Sequence, residues 1–216
     1  LYKALAQIAV REPKQALETL ATFETVNPGF ACYTAMADAH FALGDVEGVE
    51  RDAARIREYG KEPVQVIINR AVSYDAAGDT AKAIEIIDQG ILISEPPIDP
   101  SLLRHRGQVL YELGRYEEAF AEFVNARQSM AAIVEPEPDP FLPINIARTL
   151  LALDRLPEAA AELDSVEREL TRLDPTTPLH SRLLASLLQW RATLLLRPGP
   201  LFDPARAAEF AAEGLG

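Results

Sequence analysis

Apolar and polar positions along the chain repeat a compound phrase: a helical stretch, a Gly or Asp break, then an acidic or alanine-rich helix. It reads as ALGDVEGVERDA, AAGDTAKAIEII, ELGRYEEAFAEF and LALDRLPEAAAEL, with a degenerate first copy AVREPKQALETL and a stretched last copy LLRPGPLFDPARAAEF. In register, these phrases place a small or apolar anchor of a second helix at Ala16, Val49, Ala83, Ala119, Ala159 and Ala207. The spacings are 33, 34 and 36 residues, then 40 and 48. Upstream, Ala37, Ala71, Gly107 and Ala147 are small residues in the first helix of a pair, where they let the second helix approach closely. Gly44, Gly78 and Gly114 fall where those first helices end, the position at which a left-handed residue is cheapest for glycine. A hairpin of this kind cannot bury its apolar face alone, so the pattern predicts stacked neighbours that share one core.

A period near 34 with two helices per unit resembles the tetratricopeptide repeat family. Tyr33 with Ala37, Ile67 with Ala71, and Leu103 with Gly107 fall at the large and small packing positions of its first helix, and Pro28 matches its unit-ending proline. The sequence departs from the family in never placing Trp at the large position. The resemblance covers nearly the whole chain. It implies an all-α fold, an α-solenoid (right-handed superhelix) of stacked antiparallel helical hairpins. We expect a single array over residues 1–216, with approximate units 1–29, 30–62, 63–98, 99–134, 139–174 and 176–216. Two irregularities interrupt the pattern. Residues 133–143, IVEPEPDPFLP, hold four prolines and lengthen the connection between the fourth and fifth units, as a rigid extended loop that is either a partner contact or a spacer. The last unit has a long first helix, roughly 178–196, followed by the corner RPGPLFDP.

Composition narrows the function. Of 216 residues, 48% are hydrophobic and 25% charged, the profile of an ordered chain. Alanine and leucine dominate and aromatics make up only 7%, which favours close-packed helices over a β-sandwich. The formal charge of −12 repels phosphate backbones and anionic lipid, so nucleic acid is not expected as a partner. A basic or neutral partner is electrostatically easier, although the surplus of acid also serves plain solubility. No apolar run reaches about 18 residues, so membrane insertion is not expected. The single cysteine, Cys32, rules out an internal disulfide and fits a reducing compartment, so a cytoplasmic setting is favoured. The chain opens on LYKALAQIAV without an initiator Met, which suggests a fragment whose targeting signal would lie in the missing part. An Ala- and Arg-rich, Lys-poor composition points to a bacterial source.

The motif inventory contains no catalytic signature, and the chain is not expected to be an enzyme. His40, His105 and His180 show no metal spacing, and HExxH, GxGxxG, GxxxxGK[ST] and GxSxG are all missing, so neither cofactor nor metal is expected. Cys32 reads as a small helix residue, His40 as a core histidine, and Trp190 as a packing anchor or a ligand platform. The acidic pair Glu117–Glu118 reads as solvated surface.

The family resemblance implies a ligand groove lined by first helices. The residue two before the small one often faces it, and Asn there can bind a peptide backbone. That position holds Asn69, His105 and Asn145, but Ala35 in the second unit. Neighbouring groove positions carry Gln65, Arg104, Gln108, Tyr111 and Arg148. An amide side chain offers both donor and acceptor, and Arg104 or Arg148 could grip a carboxylate through a forked pair of bonds. The alternative for Asn69 and Asn145 is a solvated helix face or a hydrogen bond between adjacent units. The carboxylate clamp of chaperone-binding members is not matched, because Leu1, Leu5, Ala35 and Asp38 stand at the comparable places. The expected function is therefore a protein–protein interaction scaffold that binds a partner peptide or helix in its concave groove. Two alternatives stand beside it: a regulatory or substrate-docking segment of a larger enzyme or signalling protein, and a self-association module that forms a homo-oligomer.

Overall fold

The computed structural model describes residues 1–133 and 139–213. Among them are twelve α-helices and no strand. In chain order these are α1 Tyr2–Ala9, α2 Pro13–Glu24, α3 Phe30–Leu43, α4 Val46–Tyr59, α5 Val64–Ala76, α6 Thr80–Leu92, α7 Pro100–Glu112, α8 Tyr116–Ala131, α9 Leu142–Ala152, α10 Leu156–Leu170, α11 Pro178–Leu195 and α12 Pro204–Glu213. The fold is an α-solenoid of antiparallel helical hairpins, arranged in two compact units, Leu1–Val109 and Leu110–Gly216. The division falls within α7.

In the first unit each helix from α1 to α6 packs on the next, and the odd-numbered helices also touch in a row, α1 on α3 and α3 on α5. In the second unit α8 packs on α9, α9 on α10, α10 on α11 and α11 on α12, with α9 again touching α11. The odd helices thus form one layer of each unit and the even helices the other.

The anchors explain this packing. Ala16, Val49, Ala83, Ala119 and Ala159 are fully buried, and Ala207 nearly so. Their partners Ala37, Ala71, Gly107 and Ala147 are buried as well. Small side chains at both positions bring helix axes close, and larger neighbours such as Leu20, Ile56, Ile86, Phe123 and Leu163 fill the remaining space. One contact is tighter still. A Cβ on Gly48 would stand 2.5 Å from the His40 ring, so only glycine lets α4 lie this near α3.

The helix ends follow local chemistry. Gly44, Gly78 and Gly114 have φ of 69°, 88° and 73°, the left-handed region expected after a first helix. Arg11 and Asp154 take the same role without glycine, at φ of 63° and 58°. The second helices start on side-chain caps where the sequence offers one: Asp45 accepts from the Gly48 amide at 3.0 Å and Asp79 from the Lys82 amide at 3.1 Å. Where Arg115 and Arg155 occupy that position, each instead pairs with the glutamate three residues on, Glu118 and Glu158. The long first helix expected at 178–196 is α11, started by Thr177 accepting from the His180 amide. Of the proline-rich connection 133–143, residues 134–138 lie outside the described residues.

Candidate interaction surface

In the first unit the odd-helix layer carries a short polar chain. Asn69 on α5 is buried at 3% exposure. Its amide nitrogen donates to the Asp38 carboxylate on α3 at 2.9 Å, and its oxygen accepts from Gln65 Nε2 at 2.8 Å. Burial pushes the Asp38 carboxyl above its ordinary range, opposed by the Asn69 bond. Asn69 therefore bridges two helices in the manner of the second alternative drawn from the sequence. On α7, Arg104 and Gln108 lie one turn apart, and His105 is held to the Ser101 carbonyl through Nδ1 at 2.7 Å. All three are half-buried.

In the second unit the polar groups are differently engaged. Asn145 and Arg148 on α9 are three residues apart, hence on one helix face. Asn145 is buried at 6% exposure, yet its side-chain amide makes no hydrogen bond among the described residues. The Arg148 guanidinium lies over the Tyr111 ring, 4.2 Å from its centroid, and Tyr111 in turn packs on Tyr116 at 5.2 Å. Arg148 Nε is shut away from solvent without a hydrogen-bond partner. Burial holds this guanidinium below its ordinary pKa, opposed by Tyr111 and Glu112. Burial likewise raises the Tyr111 phenol, with Arg148 pulling it down. Elsewhere in this unit arginine meets carboxylate directly: Arg127 with Glu162, Arg155 with Glu158, Arg191 with Asp164 and Glu167. Among the described residues Arg148 makes no such ion pair and instead lies on an aromatic face.

Two polar clusters were not foreseen as clusters. His40, read as a core histidine, is buried and meets fully buried Asp52 on α4, with Nδ1 and Oδ2 2.7 Å apart. Arg70 on α5 forks onto Glu50, with Nε and Nη2 both at 2.8 Å, and its Nη1 reaches Glu62 at 3.0 Å; Glu62 also receives Arg57. Both clusters join an odd helix to the preceding or following even helix, and acidic residues at i+12 or i−20 from a basic one give no local pattern to find them by. Cys32 is buried and Trp190 half-buried within the packing. Among the described residues no group of three His, Cys, Asp or Glu could hold a metal ion, and no helix is long and apolar enough to cross a membrane.

No curated protein sequence matches the chain. Residues 68–132 match the family described as Tetratricopeptide repeat. Among solved structures, the C-terminal part of a TPR repeat-containing protein from Cytophaga hutchinsonii superposes with TM-score 0.65 at 12% identity, over 99% of this chain and 80% of that one. The nearly identical TPR-like repeats from Podosopora anserina give 0.62 at 16%, over 86% and 93%. MamA gives 0.55 at 12%, over 83% and 92%. At these identities the likeness is one of fold. Residues 68–132 are thus similar in sequence to tetratricopeptide repeats, and the chain shares the fold of tetratricopeptide-repeat proteins.

Proposed function

We propose that this chain is a protein-interaction scaffold that takes a peptide or helix of a partner on its odd-helix layer, with Asn145, Arg148 and Tyr111 as contacts in the second unit. Tetratricopeptide repeats are in general protein-interaction modules, and the odd helices carry the polar side chains suited to that use. The observation that carries the assignment is the state of α9. Among the described residues Arg148 is a half-buried guanidinium in no ion pair, and Asn145 beside it has an unspent amide. A ligand carboxylate would supply the missing counter-charge through forked bonds to the Nη groups, while Asn145 would satisfy a peptide N–H or C=O. Tyr111 holds the guanidinium flat, so little rotamer entropy is lost on binding. In the first unit, taken by itself, Arg104, His105 and Gln108 of α7 offer further contacts, whereas Asn69 would have to exchange existing partners.

Selection of random displayed peptides on the immobilised chain tests this. Peptides chosen by the wild type should bind the Asn145→Ala/Arg148→Gln variant roughly tenfold or more weakly, the scale of one or two charge-assisted hydrogen bonds. The variant should keep its thermal midpoint. Equal binding by the variant would sink the α9 assignment. If the wild type selects no peptide at all, the scaffold reading fails.

A further inference from the structure

The polar chain of the first unit is built for more than holding α3 to α5. Gln65 donates to the Asn69 oxygen at 2.8 Å, which turns the Asn69 amino group toward Asp38 at 2.9 Å. That bond occupies Asp38 Oδ1. Asp38 makes no ion pair among the described residues and has no other side-chain partner there. Three arginines of this unit are committed elsewhere: Arg55 to Glu24, Arg57 and Arg70 to Glu50 and Glu62. Asp38 is therefore an oriented, half-buried carboxylate with an open oxygen and no ion-pair partner among the described residues, on the odd-helix layer of the first unit.

We propose that Asp38, positioned by Asn69 and Gln65, is the seat of a basic side chain of the bound peptide, an arginine or a lysine. Three considerations favour a cation over a neutral donor. A partly desolvated carboxylate is held in an unfavourable state that an opposite charge relieves far more than a neutral N–H does. Burial already pushes this carboxyl upward with no nearby cation to oppose it. The net charge of −12 also steers basic segments toward the protein. A lone carboxylate is no metal site, and no metal-holding group of three is found among the described residues.

The inference rests on the scaffold reading, and the test separates the two. Short capped peptides with a central Arg, Lys, Gln or Glu are titrated into the isotopically labelled chain, and the side-chain amide resonances of Asn69 and Asn145 are followed. The Arg and Lys peptides should shift Asn69 saturably, and the Gln peptide should not. Asp38→Asn keeps an acceptor for Asn69 and should weaken the Arg response by roughly tenfold or more, the weight of a charge-assisted bond. In the wild type alone, raising salt from about 0.05 to 0.5 M should weaken the Arg response and spare any neutral contact. An Arg response equal in wild type and Asp38→Asn, or matched by the Gln peptide, overturns the proposal. If Arg fails while the Glu peptide still moves Asn145, only the Asp38 assignment falls. If no peptide moves either amide, the scaffold reading falls with it.

Discussion

His40 and Asp52 face each other across the α3–α4 contact, with 2.7 Å between Nδ1 and Oδ2, and Asp52 is fully buried. The second oxygen, Oδ1, has no hydrogen-bond partner, and Arg55 stands 3.9 Å away. Asp45 lies 3.7 Å from the other ring nitrogen of His40. Asp52 is thus a desolvated carboxylate whose one close partner is an imidazole. Removing the imidazole by His40→Ala should destabilise the chain by about 3 kcal/mol or more, since a buried charge loses its compensation and a cavity opens. Asp52→Asn keeps an acceptor for His40 without the charge and should cost much less. Urea unfolding of the two variants checks the order, and equal losses would refute it.

The same residue gives a pH prediction. Burial raises the Asp52 carboxyl above 3.8, against the opposing effects of His40, Arg51 and Arg55. The folded state then holds this proton more tightly than the unfolded state does. Its contribution favours folding at low pH and is lost as pH rises through the raised value. Asp52→Asn should remove that component, so its stability relative to wild type should grow between about pH 4 and neutrality. Unfolding midpoints measured across that range decide the matter.

Glu50, the partner of Arg70, behaves in the opposite sense. Burial would raise Glu50, but the bonds from Arg70 and Arg57 outweigh it and hold the carboxyl below 4.5. Stability from this pair is present above pH 4.5 and lost as pH falls through the depressed value. Arg70→Met leaves buried Glu62 with only Arg57 and should destabilise by about 3 kcal/mol at neutral pH. Adding Glu62→Gln should restore part of that loss. A double variant no more stable than Arg70→Met would disprove the coupling.

Asp154 ends α9 at φ of 58°, where three other first helices use glycine. Asp154→Gly should therefore stabilise by roughly 0.5–1 kcal/mol, because relief of the left-handed strain exceeds the added entropy of the unfolded chain. Gly114→Ala, at φ of 73°, should lose a similar amount. Thermal midpoints moving in the same direction for both would contradict this reading.

The hairpin architecture was legible because it is written in local features. A break at Gly44, Gly78 or Gly114 and a small anchor such as Ala83 or Ala119 are visible within a dozen residues. Arg11 and Asp154 hid from the same reading, since nothing in an arginine or aspartate announces a left-handed backbone. The surface was less legible. Register placed Asn69, but not the acceptor opposite it, because Asp38 lies 31 residues away and meets it only through the packing of α3 on α5. Likewise the sequence singled out Tyr111 and Arg148 separately, and only the fold stacks one on the other.

Among α1 to α6, helices make contact with the next or next-but-one helix in the chain. Every loop that must close to form this core is therefore short, and the ordering entropy is met in small instalments rather than at one stroke. Such a region should acquire structure quickly and from more than one starting hairpin. Amide hydrogen exchange in this chain should be faster in α1, which packs on α2 and α3, than in α3, which packs on α1, α2, α4 and α5. The repeated small residue that lets one helix approach another thus also sets the order in which the chain becomes protected from solvent.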